Sequence, residues 1–478
     1  MEKQEIIKGL QNIVDADRVL TDEASVLEGA KDYIGFRVYQ RAAGVNFAPR
    51  AAAMVKVKSA EEASEVLKFL NENEIDVVPR TGGSSVTLGL EPVTGGVILD
   101  GSLMNEIIEV NEENMTVTVK SGTPLEYVEN YLEERGYTTG HSPQSLPMAS
   151  LGGLVATRSI GQFSTYYGGI EDLLIGLEAV LPDGEIIRIK NVPRRSCGPD
   201  LRHLFIGSEG MLGFITEVTI KIFRYRPEER WMCAYGIKDM QTGLNMFKDI
   251  MHAGYRPAVA RLHDAQEVML VLGLHDCGIP AGYGIALFLC EGPKAIADAT
   301  GAGIEQIADK YEAVSLGSKP VESWLKTRND VCYEMDNGQY YKMGCVADTC
   351  EISGNWDIIG KIYDGVTTRL MEENDQLAYV GGHSSHSYMQ GTNIYFTFAF
   401  LEDDVEKSQE DYMKVIAVIM EEVLKYGGSI AHHHGSGKYR TQWMPQEHGS
   451  SYPLMYKLKD AIDPKHILNK GVLLVDND

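Results

Sequence analysis

Three stretches of small residues could let main-chain amides close on an anion. Pro79, Arg80, Thr81, Gly82, Gly83, Ser84 and Ser85 follow a short apolar run, residues 207–213 read Gly-Ser-Glu-Gly-Met-Leu-Gly, and residues 141–169 are rich in Ser, Gly, Thr and Pro. Glycine admits close approach and left-handed dihedrals without a Cβ clash, and a glycine loop at the end of a parallel strand turns N–H groups toward negative charge. One such loop is most often only a turn. Three within one α/β pattern fit a ligand that needs several approaches, such as a dinucleotide. The GxGxxG opening of a Rossmann unit is absent, which disfavours an NAD-type fold.

The second half carries residues suited to proton transfer and anion binding. These are Tyr395 in Asn-Ile-Tyr-Phe, the run His432, His433, His434, Arg261 in Arg-Leu-His-Asp, and Arg328 in Trp-Leu-Lys-Thr-Arg. Histidine and tyrosine move protons, and a planar guanidinium grips a carboxylate or phosphate through two parallel hydrogen bonds. Each has a plainer reading too. In an extended segment only alternate members of a histidine run share a face, a tyrosine in an apolar strand is ordinarily packing, and a lone arginine ordinarily pairs at the surface. His383 and His386 with His432 or His434 could offer imidazoles to zinc or iron, but spacing fixes no acidic partner and no metal is assigned.

The elements that must position these groups follow from periodicity. Residues 54–57 alternate like a strand, Ser59 and Glu62 form a capping box, Ala63, Val66, Leu67 and Leu70 repeat at helical spacing, and a strand over 75–78 delivers the first loop. Short strands are expected over 97–100, 107–111 and 116–120, then a helix with Thr123 as its cap and Pro124 at its first position. Residues 141–169 read as a long loop, 171–189 as strands around a turn at 182–184, 200–206 as a short helix and 218–223 as a strand. Helices near 242–251, 294–311 and 404–425 and a strand near 284–289 give the second half an α+β pattern.

A chain of 478 residues exceeds one usual core, so two domains are expected. With 44 basic and 68 acidic residues the net charge is −24, which repels nucleic acid and anionic lipid. The seven cysteines (Cys197, Cys233, Cys277, Cys290, Cys332, Cys345, Cys350) form no CxxC pair and suit a reducing cytosol. The opening MEKQEIIKGL has no signal pattern, the closing VDND matches no retention or lipidation tail, and no apolar run reaches membrane-spanning length, so a cytoplasmic protein is expected.

Residues 79–89 (PRTGGSSVTLG), 140–158 (GHSPQSLPMASLGGLVATR) and 198–220 (GPDLRHLFIGSEGMLGFITEVTI) resemble the FAD-binding segments of the vanillyl-alcohol oxidase superfamily, with its p-cresol methylhydroxylase type of FAD domain. The resemblance is collinear over nearly the whole chain, and its nearest branches are alkylglycerone-phosphate synthase and glycolate oxidase with D-lactate dehydrogenase. It implies an α+β two-domain flavoprotein in which a mostly α cap-bearing domain covers the flavin. The expected division is 1–49 as an N-terminal helical segment, 50–225 as the FAD domain, 226–430 as the substrate domain and 431–478 as a segment returning to the flavin. The resemblance implies that residues 80–85 surround the pyrophosphate. Pro147, Ser150, Gly153, Val155, Ala156, Thr157 and Arg158 would line the flavin, and Glu209, Gly210, Gly213 and Ile215 the adenine side.

Relatives with covalent flavin place histidine where this chain has Ser84, so non-covalent FAD is expected. Tyr388 and Tyr395 stand where the lactate and glycolate enzymes place two metal-binding histidines, whereas Tyr395, the triple histidine and Arg261 resemble the ether-lipid synthases. The resemblance implies proton transfer by His434 or Tyr395, with Arg261 and Arg328 as anchors for an anionic substrate. The expected activity is oxidation of a CH–OH group of a 2-hydroxy acid or related alcohol by hydride transfer to flavin N5. The alternatives are a synthase-like transferase working through a flavin–substrate adduct and a flavin subunit of an electron-transfer complex. A basic electron-transfer protein and a homodimer stay open as partners.

Overall fold

The computed structural model describes residues 1–46, 50–93, 95–270, 278–334 and 336–475. Cys277, the boundary at 49 and residues 476–478 of the closing tetrapeptide lie outside the described residues. The first half holds two sheets. Val19–Leu20, Ala53–Lys56, Val97–Asp100 and Val77–Arg80 lie side by side in that order, the last three parallel. Helix Ala60–Glu72 covers them, started by Ser59 Oγ, which accepts the Glu62 N–H at 3.2 Å, and held by buried Ala63, Val66, Leu67 and Leu70. The second sheet is antiparallel, in the order Ile107–Asn111, Thr116–Lys120, Phe214–Lys221, Leu174–Val180, Ile186–Ile189.

The second half is built on a seven-stranded antiparallel sheet, ordered Val314–Gly317, Trp231–Ile237, Gly284–Cys290, Val259–His263, Leu377–Ser384, Gly391–Leu401, Cys345–Asn355. This corrects the expectation of a mostly α second domain. Period-two alternation gives the sheet two different faces. Ala260, Leu262, Val346, Cys350, Ile352, Ile394, Phe396, Phe398 and Phe400 turn into one core shared with helices Met240–His252, Ile359–Glu373 and Ser408–Tyr426. On the opposite face Val259, Ile285, Leu287 and Leu289 belong to a second apolar cluster, while Arg261, His263, Glu351, His383 and Tyr395 form a polar patch.

Three sequence expectations shift locally. Helix Leu125–Glu133 starts after Pro124 rather than at it, because Thr123 Oγ1 donates to the Glu106 carbonyl at 3.1 Å instead of capping. Residues 200–206 make only a single 3₁₀ turn, Leu201–Leu204. The stretch read as a long loop carries the short helices Leu151–Ala156 and Ser164–Tyr167, too short to show an apolar period. Among the described residues no helix is long and apolar enough to cross a membrane.

Candidate active site

The polar patch of the seven-stranded sheet and the glycine loops of the first half enclose one cleft of about 460 Å³. Of the residues read from the sequence, 79–85, Ser150, Gly153, Ala156, Thr157, Glu209, Gly210, Gly213 and Ile215 line it. Pro147, Val155 and Arg158 lie outside the lining. Val155 is packed in the core beneath the five-stranded sheet, and Arg158 turns away to Glu171, its Nε 3.2 Å from Oε1.

The first loop tests whether a flavin dinucleotide fits. From Gly82 to Val86 no main-chain N–H finds an acceptor among the described residues, although all of them line the cleft. Unpaired backbone donors are rare in folded proteins, and a run of them facing a cleft is a cradle for an oxyanion such as a pyrophosphate. Ser150 Oγ and Arg80 Nε, buried and unpaired, add two more polar groups there. Arg80 itself is fixed by its ion pair with Asp100. The residues present therefore fit the group.

Glycine is required at one point of this cradle. A Cβ on Gly82 would come within 2.7 Å of the Met148 carbonyl oxygen and of the Ser150 nitrogen, both backbone atoms that cannot swing aside. Gly82→Ala is expected to purify with at least several-fold less bound FAD, read from the ratio of flavin to protein absorbance. Parental FAD content in that variant would remove this loop from the binding site.

The chain returns to the cradle from its other end. Glu209, at φ 48°, accepts the main-chain N–H groups of Ser436 and Gly437 at 2.7 and 2.9 Å. Burial pushes its carboxyl up to about 7 against the pull of those two donors. The Asn469 amide donates to the Glu209 carbonyl at 2.6 Å, and Asn469 lines the cleft.

Four of the expected catalytic residues, Arg261, Tyr395, His433 and His434, line the same cleft. His432 stands outside its lining, its Nε2 2.8 Å from the Tyr388 hydroxyl and its Nδ1 2.8 Å from His433 Nδ1. The Tyr395 hydroxyl pairs with His433 Nε2. Arg328 also lies outside the lining; it donates to the Leu325 carbonyl at 2.7 Å and to Ser142 Oγ at 3.1 Å, tying the two halves together.

Glu351, which the sequence reading missed, organises the histidine run. Its Oε1 accepts the main-chain N–H groups of His432, His433 and His434 at 3.1, 3.0 and 2.7 Å, and its Oε2 accepts Arg440 Nη2 at 2.5 Å. Burial alone would raise this carboxyl, but the fully buried Arg440 guanidinium leads the pull that holds it well below the usual carboxylate range. Burial keeps the imidazoles neutral: it lowers His434, takes His432 to about 4 and puts His433 well below its ordinary value. Burial also raises the Tyr395 phenol, so its proton stays on.

Strand register explains why these groups meet. His263 faces His383, His383 faces Tyr395, and Tyr395 faces Glu351 across adjacent strands, a single polar row on the cleft side of the sheet. Period-two alternation in 345–355 is the signal that could have found Glu351. The N-terminal stretch also reaches the cleft, through Tyr33 and Gly35, and the Gly35 N–H donates to Asp348 at 2.6 Å.

Among the described residues, two groupings have metal-binding atoms within 4.8 Å of one another, His386 with His432 and His433, and His263 with Glu267 and His383. Hydrogen bonds already engage these groups: His432 Nδ1 with His433 Nδ1, His386 Nδ1 with Ser164 Oγ, and Glu267 with each of its two histidines.

Comparison with known proteins agrees with this geometry. Residues 51–190 match the FAD binding domain, and residues 226–473 match the C-terminal domain of FAD linked oxidases. An uncharacterized FAD-linked oxidoreductase of Escherichia coli (strain K12), YgcU, is 45% identical, with 99% of each chain covered. Alkyldihydroxyacetonephosphate synthase of Caenorhabditis elegans is 28% identical over 87% of this chain and 75% of its own. Glycolate oxidase subunit GlcD of Bacillus subtilis (strain 168) is 26% identical over 91% and 92%. Among solved structures, an alkyldihydroxyacetonephosphate synthase superposes with TM-score 0.82 at 23% identity, covering 98% of this chain and 86% of that one. A p-cresol methylhydroxylase superposes with TM-score 0.75 at 16% identity, covering 99% and 98%.

Proposed function

The chain belongs to the FAD-linked oxidase family and is an FAD-dependent oxidoreductase; from that premise we propose that it oxidises a CH–OH group in a small anionic substrate, a 2-hydroxy acid or a close analogue. The observation that carries this reading is Arg261. It is buried and lines the cleft, yet among the described residues no carboxylate lies within ion-pairing distance. Burial lowers its pKa, and the charge of Glu267, held off behind His263, offsets this only in part. A substrate carboxylate would supply a direct counter-charge and gain a bidentate contact.

FAD, when bound, supplies the hydride acceptor. The protein holds it through the Gly82 to Val86 amides, anchors the substrate anion on Arg261 and offers the Tyr395 hydroxyl as a hydrogen-bond donor toward the substrate oxygen. With Ser84 in the first loop, the flavin is held without a covalent link. Denatured protein should release all its FAD into the supernatant.

The similarity to alkyldihydroxyacetonephosphate synthase supports a second reading, a transferase whose phosphorylated substrate would use the same arginine. Anaerobic mixing separates the two. A 2-hydroxy acid that bleaches the flavin stoichiometrically supports oxidation; alkyl exchange on an acylated dihydroxyacetone phosphate without lasting bleaching supports transfer and defeats the first reading.

A further inference from the structure

Glu267 is fully buried, in the stretch that follows strand Val259–His263, and it touches neither Arg261 nor the histidine run directly. Instead it joins three side chains. His263 Nδ1 lies 2.9 Å from Oε2, His383 Nδ1 lies 3.0 Å from Oε1, and the Thr397 hydroxyl donates to Oε1. Burial opposes ionisation of this carboxyl, but the two imidazoles outweigh it and keep it well below the usual range. A carboxylate accepts only, so both Nδ1 atoms carry protons. Burial lowers His263 to about 3, so that ring is neutral, and its Nε2 accepts the Arg261 Nε–H at 3.3 Å.

The same logic fixes the other ring. With Nδ1 held by Glu267, Nε2 is the ring nitrogen left to exchange a proton. Among the described residues that atom has no hydrogen-bond partner, and His383 lines the cleft. The ring cannot turn freely, because it is stacked between His263 at 4.8 Å and Tyr395 at 4.5 Å, centroid to centroid. A carboxylate that orients an imidazole, whose far nitrogen opens on a substrate cavity, is the arrangement of a general base and its positioning group.

We infer that His383 is the catalytic base of this enzyme and Glu267 its positioning residue, with His263 joining the same carboxylate to the substrate anchor Arg261. The inference rests on the oxidation reading above. In the step, the substrate O–H bond breaks and its proton goes to His383 Nε2, while the oxygen electron pair forms the C=O bond. FAD, when bound, would supply the acceptor for the C–H electron pair as hydride, so that the substrate would lose two electrons and two hydrogens in all. Tyr395, its proton retained, is the donor beside this base. The charged and titratable groups around His383 are Glu267, His263 and Arg261 from the neighbouring strand and the turn after it, Tyr395 from the other side, His386 on its own loop, and His433 and His434 opposite.

Two measurements on the holoenzyme test this. In stopped-flow bleaching with the hydroxy acid found by the screen, His383→Gln should slow reduction by about 10²- to 10⁴-fold at unchanged FAD content and abolish the acid limb of the pH profile. Glu267→Gln should move that limb to lower pH, because a neutral amide no longer stabilises the imidazolium, and Glu267→Asp should restore part of it. A His383→Gln rate within threefold of the parent, or an acid limb indifferent to Glu267→Gln, would overturn the inference. The second measurement needs no substrate. Diethyl pyrocarbonate should carbethoxylate His383, mapped by mass spectrometry, with a pH midpoint that falls in Glu267→Gln; failure to label His383, or an unmoved midpoint, counts against it. If no hydroxy acid bleaches the flavin but the labelling behaves as stated, the oxidation reading fails while the oriented, open nitrogen stands.

Discussion

Arg261→Met is expected to lower kcat/KM for the anionic substrate by about 10²- to 10³-fold while leaving bound FAD unchanged. The magnitude follows from removing one member of a desolvated, hydrogen-bonded charge pair, which costs about 2–5 kcal/mol, with each 1.4 kcal/mol worth tenfold. The methionine stem keeps apolar volume beside Trp324 while removing the guanidinium that lies 5.2 Å from its ring. Arg261→Lys should fall between, since it restores charge without the planar fork. The loss should appear mainly in KM if the anion is bound equally before and during reaction, and in kcat if the contact tightens on the way. Methionine at this position with parental kcat/KM would remove the anion anchor and, with it, the case for an acidic substrate.

The second large effect concerns stability. Arg440 is fully buried, with its Nη2 on Glu351 Oε2 and its Nη1 on the Ile430 carbonyl at 2.9 Å. Arg440→Met leaves a buried carboxylate without its counter-charge and should cost about 3–5 kcal/mol, read as a lower urea midpoint at unchanged slope. The pH dependence has a definite sign. The folded Glu351 carboxyl sits below its unfolded value, so its contribution is complete above the unfolded pKa of about 4.3 and fades as pH falls toward the folded value. The parent should therefore lose more stability than Arg440→Met on going from pH 6 to pH 3. A midpoint within error of the parent across that range would show that the pair contributes nothing net.

The glycine cradle was legible because it announces itself locally. Gly82 and Gly83 follow a strand at once, and only small residues allow that approach. The strand, helix, strand unit around Ala60–Glu72 was legible for the same reason, since cap and apolar spacing both lie within one window. The dyad was hidden because its meaning is long-range. Glu267 and His383 are 116 positions apart; the sequence marks His383 only as one of several imidazoles, and Glu267 reads alone as an ordinary polar residue. Glu351 was hidden likewise: an acidic residue in a strand reads as solvent-facing until the loop bearing His432 folds over it. Arg328 illustrates the reverse error of emphasis, since a motif marked it as an anchor while its geometry makes it a tie between halves.

The cradle is stitched from both extremes of the sequence. The Val77 N–H donates to the Ile467 carbonyl and the Asn469 N–H to the Val77 carbonyl, both at 2.8 Å, and Lys438 N–H reaches the Thr87 carbonyl at 2.9 Å. A ribosome delivers the strand at 77 long before its partner at 468, at about 5–20 residues per second. The nascent polypeptide must therefore wait tens of seconds with its phosphate-holding amides exposed to water, and cofactor capture becomes a late, post-synthetic event. Cells starved of riboflavin should accordingly accumulate a protease-sensitive apoprotein that turns yellow and resistant once the vitamin returns.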